Sequence, residues 1–465
     1  MSNMNKQKPQ KASPQGVVKE KNLLDNKKFS NFIKSKWFPS GFQIFVGIVF
    51  AFIVLQLLTG PSEAHDNFGT AGTWILWWPL LPILLFVLGR FWCTVCPFGA
   101  LSDVVQKFVG SKQPVPKFLK KYGIWIIDAM FIAITWSDHI WGIVESPRGS
   151  GVLLLMITTG VVLSGAFFER RTWCRYLCFL GGLSGNYSRA GMLELRGTPE
   201  KCSKCTVAAC YKGSDKAEGC PMFEFPKTMD TNAQCNFCGN CVKSCPNNSI
   251  RISWRKPTKE LWFIKKPKIE ESFLAVVIMG IVFVQNITMV DIWSGILSWL
   301  ENATGTTSYF VTFTITFIIA MLIPILLLAL VGLVAKKFNG DSVKQNFAKF
   351  GYALIPLDLA AHIAHNLFHL LEEGKSIGYT FMGLFGMEVH DASTAFVSTS
   401  AIQALQYILI TLGTFGSIFT AYKIAKSSYR SKEKTKGTTI AYAAFMVLLG
   451  VINILLFSLP MVMRM

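Results

Sequence analysis

Between residues 202 and 245 the chain sets cysteine at Cys202, Cys205, Cys210 and Cys220, then at Cys235, Cys238, Cys241 and Cys245, with Pro221 and Pro246 closing the two runs. The second run reads Cys-x2-Cys-x2-Cys-x3-Cys-Pro. At that spacing three thiolates hold one [4Fe–4S] cluster and the fourth reaches to another. A segment so dense in ligands has little sequence left for an apolar core, so it must fold around inorganic ones, with Gly213, Gly219 and Gly239 supplying turns. Zinc competes for any Cys-x2-Cys pair. Two consecutive four-cysteine runs, each closed by Cys-Pro, favour iron and sulfide.

The second run is that of bacterial ferredoxins, whose crossed ligation would give Cys202, Cys205, Cys210 and Cys245 to one cluster and Cys235, Cys238, Cys241 and Cys220 to the other. The first run departs from the pattern, with four residues between Cys205 and Cys210 and nine between Cys210 and Cys220. Such spacing permits a cubane but can alter the hydrogen bonds to its sulfurs, and with them the potential.

The rest of the chain is too apolar for a soluble protein of 465 residues: 51% is hydrophobic and the mean hydropathy is +0.39. Apolar stretches long enough for a hydrocarbon core of roughly 30 Å lie near 41–59, 73–91, 122–137 and 151–168 before the cysteine-rich segment, and near 272–290, 308–335, 351–371, 401–422 and 438–458 after it. The third contains Asp128 and is short. Lysine and arginine collect at 107–121, 169–175, 196–268, 336–349 and 423–436, whereas 61–72, 138–150, 291–307 and 373–400 are acidic or near neutral. The positive-inside rule then puts the N-terminus and the cysteine segment in the cytoplasm and the C-terminus outside, across nine spans of a cell inner membrane. Residues 1–36 are basic and polar with no apolar stretch before them, which reads as a disordered cytoplasmic tail and not as a cleaved leader. Juxtamembrane topology accounts for most of the net charge of +19, so no nucleic-acid partner is expected. All twelve cysteines fall between Cys93 and Cys245, a local, chemical use in a reducing compartment and not a disulfide framework.

The remaining four cysteines form two pairs. Phe91-Trp92-Cys93-Thr94-Val95-Cys96-Pro97-Phe98-Gly99 follows the second span, and Thr172-Trp173-Cys174-Arg175-Tyr176-Leu177-Cys178-Phe179-Leu180-Gly181 follows the fourth. Each has an aromatic before its first cysteine and a glycine-containing turn after its second, and both emerge on the same side. They read either as a shared third cluster held by Cys93, Cys96, Cys174 and Cys178 or as a redox-active dithiol.

In this order of parts, over residues 41–256, the chain resembles the NapH/NosR-type membrane polyferredoxins, in which transmembrane hairpins carry Cys-x3-Cys-Pro motifs and a two-cluster ferredoxin domain follows. Here the first pair has spacing two, and the second has Phe179 where proline is usual. The resemblance implies electron transport between the quinone pool and a partner redox protein or membrane complex, or support for maturation of a terminal reductase or oxidase.

In the C-terminal half Asp358, His362, His365, His369 and Glu372 recur at spacings of four, three, four and three, which puts them on one helix face. Ionisable groups within a span are costly and face a cavity, a cofactor or one another. A quinone pocket with a proton relay needs no further ligand. A b-type haem needs an axial ligand from a second element, for which only His390 lies in the same half, and a metal on His362, His365 and His369 would draw on Glu388 or His390. A polar seam between helices, completed by Gln403 and Gln406, is the remaining reading.

The expectation is therefore a mainly α membrane protein of about nine transmembrane helices with an inserted cytoplasmic two-cluster ferredoxin-like domain. Its parts are the tail 1–36, a four-helix membrane region 37–195, the double-cluster domain 196–256 and a five-helix membrane region 257–465. Such a protein would link a quinone or quinol to a redox partner through two [4Fe–4S] clusters. The alternative is a maturation or metal-reducing accessory protein.

Overall fold

The computed structural model describes residues 21–387 and 393–460. Residues 1–20 of the expected tail, and Glu388 and His390, lie outside them. The chain is mainly helical, and among the described residues its one sheet has two strands. Among the described residues, eight helical stretches are long and apolar enough to cross a membrane: Ser40–Thr59, Phe68–Val109, Pro147–Phe167, Ile269–Ile287, Tyr309–Asn339, Val343–Glu372, Thr399–Ser428 and Lys432–Ser458. This is the pattern of a multi-pass membrane protein. The expected span at 122–137 lies inside a further helix, Lys117–Trp141, 25 residues long, whose lysines, Asp128 and Asp138 dilute its apolar character.

The outermost helix, Ser40–Thr59, buries only Leu57 and exposes Phe45, Ile48 and Leu55, a surface for lipid. At the other extreme, Ile269–Ile287 is buried along most of its length. One apolar core runs from Leu81 and Leu85 through Leu183 and Tyr187 to Phe350, Tyr442 and Phe457. The membrane regions before and after the cysteine segment thus share a single interior.

The Phe68–Val109 stretch is not one straight helix. It has a π-type turn over Ala71–Trp77, breaks at Gly89–Phe91, continues over Trp92–Val95 and turns again at Cys96 before Pro97–Val109. Gly89 has φ +60°, and a Cβ there would lie 2.9 Å from the Phe237 ring, so both conformation and contact require glycine. The second hairpin ends in the same way. Arg171, at φ +55°, starts the short helix Thr172–Tyr176, and Cys178 precedes Phe179–Ala190.

The cysteine segment is closed by β1 (Leu193–Gly197) and β2 (Ile250–Trp254), antiparallel with Leu193 opposite Trp254 and Gly197 opposite Ile250. Leu195, Val242, Ile250 and Ile252 form its small core together with Ile33 and Phe38 from the N-terminal segment. This corrects the reading of a disordered tail up to residue 36. Asn26 caps the helix Lys27–Lys34 by accepting from the backbone of Lys28 and Phe29, and the helix buries Ile33 against the domain. Polar composition hid that docking, because only a few residues, led by Ile33 and Phe38, carry it. Residues 291–307, expected as a loop, contain the helix Ile292–Thr304, which exposes Ile292 and Trp299.

Candidate functional site

Within the domain, one small cavity is lined by Cys202, Cys205, Cys210 and Cys245, and another by Cys220, Cys235, Cys238 and Cys241. Each takes one cysteine from the other run. Backbone N–H groups point at the sulfurs: Glu224 donates to Cys220 Sγ and Ser249 to Cys245 Sγ, each at 3.3 Å. Left-handed residues beside the ligands, Ala208, Phe223, Phe237 and Gly239, turn the loops so that these donors face inward. Burial together with the neighbouring thiols pushes Cys210 up to about 11, and burial with Cys220 nearby pushes Cys238 up to about 12. Cys205 is held below the usual thiol range by backbone N–H donors from Ala208 and Val207. Four thiols crowded together give up their protons only to a cation that their sulfurs can share. Among the described residues no three His, Cys, Asp or Glu side chains stand close enough to hold a single metal ion. A cubane spreads its four thiolates over four irons and suits the wider arrangement.

The membrane pairs converge as well. Cys93, Cys96, Cys174 and Cys178 are all within electrostatic range of one another, in every pairwise combination. The arrangement is held by Arg171, which is buried, grips both carboxylate oxygens of Asp103, donates to the Cys93 carbonyl at 3.1 Å and hydrogen-bonds Cys174. Thiolates brought together here meet a fixed positive charge. The glycines of the two motifs answer to close packing: a Cβ at Gly99 would meet the Arg171 guanidinium, and one at Gly181 would lie 2.7 Å from the Cys174 carbonyl.

The domain is fastened directly over this group. Arg90 donates to the Ala233 carbonyl at 2.6 Å and to Gln234 Oε1 at 3.0 Å, Thr94 Oγ1 donates to the Asn236 carbonyl, and Gly89 abuts Phe237. Residues 233–238, which carry Cys235 and Cys238, therefore rest on the turn that carries Cys93 and Cys96. Arg171 and Asp103 are within electrostatic range of Cys238, and Cys241 is within range of Cys210. Three four-cysteine groups follow one another from the membrane outward.

At the membrane end, Cys178 also lines a cavity of about 170 Å³, together with Trp77, Trp78, Trp173 and Phe179, and with His139, His365, His369 and Glu373. The expected stripe divides here. His365 and His369 face the cavity, but Asp358, His362 and Glu372 do not line it. His362 Nδ1 lies 2.9 Å from the Tyr187 hydroxyl and His365 Nδ1 lies 2.8 Å from Asn286 Oδ1, while His369 pairs with Glu373 at 3.2 Å. Among the described residues the three histidines do not form a group that could hold one metal ion. Asp358 is buried with neither carboxylate oxygen hydrogen-bonded. Gln406 donates to the Ala364 carbonyl and Gln403 to that of Phe457, so both tie helices together away from the cavity.

His139 falls in the segment 138–150 that the charge pattern assigns to an outward loop. It is instead buried near the end of Lys117–Trp141 and faces the same cavity. Ser137 and Asp138 end the apolar window there, but they do not end the helix.

The family of 4Fe-4S binding domains matches residues 70–116 and 150–194, the two hairpins that carry the membrane cysteine pairs. Among curated proteins, YccM of Escherichia coli (strain K12), named for an inferred electron-transport role, is 27% identical over 205 residues. That match covers 38% of this chain and 54% of YccM, so the chain spans about half the length of that relative. The uncharacterised proteins MJ0750 and MJ0749 of Methanocaldococcus jannaschii are 24% and 23% identical, over 45% and 38% of this chain and 91% and 70% of their own lengths. No solved structure matches. The domain match and the YccM relationship support iron–sulfur electron transfer.

Proposed function

We propose that the protein carries electrons between a quinone or quinol headgroup, held in the 170 Å³ cavity, and a redox partner on the side of the cysteine domain. Cys93, Cys96, Cys174 and Cys178 would hold one [4Fe–4S] cluster, Cys220, Cys235, Cys238 and Cys241 a second, and Cys202, Cys205, Cys210 and Cys245 a third. Such clusters supply one-electron carriers whose potentials are set by burial, charge and hydrogen bonds to sulfur. The observation that carries the reading is continuity: Cys178 belongs to the membrane group and also lines the cavity, and that group lies directly beneath Cys235 and Cys238. The cavity is smaller than the roughly 300–1,000 Å³ of pockets that enclose a whole drug-sized ligand. It suits a quinone ring, with the isoprenoid tail in lipid, better than a haem macrocycle.

With Lys117–Trp141 as a ninth crossing, about 37 Å long at 1.5 Å per residue, the loops alternate in charge as the positive-inside rule demands. The domain, a ferredoxin-like insertion, is then cytoplasmic, the membrane is the inner one, and the C-terminus is outside. A groove of about 1230 Å³ beside Cys238 is lined by Lys36, Lys107, Lys112, Lys216 and Lys243, which outnumber its carboxylates Asp103, Glu169 and Glu218, and this favours an acidic redox protein as the partner.

Anaerobic purification with iron, sulfide and EPR analysis tests the centres. Three clusters require about twelve irons per chain. A ceiling of about eight removes the membrane centre, and fewer than about four removes the two-cluster domain as well. Reduction of the clusters by a short-chain quinol under anaerobic conditions tests the link to the cavity, and no reduction at any pH would refute it.

A further inference from the structure

The cavity reaches past the histidines toward the face of the protein opposite the cysteine domain. At that end its wall is formed by His139, Asp138 and Glu145, and beyond the wall lies a second cavity of about 370 Å³ lined by the same three residues with Gly142, Thr288, Trp293 and Tyr309. Lys117–Trp141 starts on the cysteine side and places His139 within its last turn. The three residues thus border both spaces. They also grade from inside to outside: the His139 side chain is 1% exposed, that of Asp138 is 18% exposed, and Glu145 is exposed.

The geometry of His139 assigns its protons. Nδ1 lies 2.8 Å from the Thr135 carbonyl, which can only accept, so Nδ1 carries hydrogen and Nε2 is the atom that gains and loses a proton. Nε2 points to Thr288 Oγ1 at 3.4 Å, and Thr288 lines the second cavity. The ring stacks on Phe313 at 5.2 Å, which holds it in place. Asp138 Oδ1 accepts from the Val144 backbone at 2.8 Å while Oδ2 stands 3.8 Å from His139 Nδ1. On the inner side the His369–Glu373 pair faces the first cavity.

We propose that His139, with Asp138 and Glu145, is a proton gate between the two cavities, so that quinol oxidation in the first releases its protons on the face opposite the cysteine centres. The inference rests on the quinone reading above. For each quinol, two O–H bonds break and two carbonyls form. Two electrons leave toward Cys178, one at a time, and reach a one-electron oxidant on the domain side. Two protons pass by way of His369–Glu373 and His139 Nε2, past Thr288, into the second cavity that Asp138 and Glu145 line, and on to water. Electrons and protons then part to opposite sides of the membrane, and each turnover separates charge across it.

The test uses the full, cluster-loaded chain in liposomes with the cysteine domain facing out, pyranine in the lumen, decylubiquinol as donor and external ferricyanide as acceptor, measured against protein-free vesicles. About two protons should enter the lumen per quinol oxidised. At fixed external pH, acidifying the lumen should slow oxidation by mass action. His139→Phe should reduce lumen acidification by roughly tenfold or more, with iron content and cluster EPR unchanged, and Asp138→Asn and Glu145→Gln should reduce it less. Protons appearing outside, a rate that ignores lumen pH, or wild-type acidification in a His139→Phe variant of normal iron content each overturn the gate while leaving the quinone reading intact. Failure of the wild type to oxidise quinol at all removes both.

Discussion

Arg171 shows how much a single side chain can organise: it joins Asp103, the Cys93 carbonyl and Cys174, three elements of two hairpins, in one fork. A lysine ammonium is a point donor and cannot span that set. Arg171→Lys is therefore expected to leave the iron of the domain in place but to lower occupancy of the membrane group, read as loss of about four irons per chain. Cys93→Ala should give the same loss with the EPR signals of the domain clusters retained. Full iron content in Cys93→Ala would show that the membrane cysteines are not cluster ligands, and full iron in Arg171→Lys alone would show that the guanidinium does not hold them. The gathering of the eight domain cysteines into two groups could be read from spacing because each run is local in sequence. Arg171 could not, since its partners are 68 and 78 residues away and nothing in a local pattern marks such a position. The same limit hid His139, whose role depends on a helix continuing through polar residues.

Among the elements, the helix Phe179–Ala190 connects the cysteine pairs to the histidine stripe. Its Tyr187 is fully buried and meets His362, which faces away from the cavity. Removing the hydroxyl leaves a buried imidazole nitrogen without that partner, at a cost of about 1–3 kcal/mol. Tyr187→Phe should accordingly melt earlier in detergent while its quinol oxidation, normalised to folded protein, stays near wild type. Lost oxidation at an unchanged melting temperature would instead place Tyr187 in the chemistry. Helical periodicity made the stripe visible in the sequence. Which of its members face a cavity was set by neighbouring helices, which a one-helix pattern does not contain. The spans themselves were legible because about twenty apolar residues in a row have few other uses, whereas Lys117–Trp141 falls short on composition and is shielded by its neighbours, with Asp128 buried.

Across the whole molecule, the N-terminal segment ties the membrane region to the domain. Ile33 and Phe38 pack into the same small core as Cys235 and Phe237, and Lys243 donates to the Phe38 carbonyl at 2.5 Å. A charge at position 33 would be buried in that core unpaired. Ile33→Asp is predicted to shorten the lifetime of the domain clusters in air, followed by bleaching of their visible absorption, with the membrane centre decaying more slowly. Equal decay of all centres would show that the segment supports the fold as a whole. The interleaving of the two cysteine runs has one further consequence, in the order of synthesis. The membrane group is complete once the ribosome has passed Cys178, but each domain group waits for residues of both runs, the last being Cys245. The innermost site can therefore be assembled while the chain is still emerging, before the segment that rests upon it has been made.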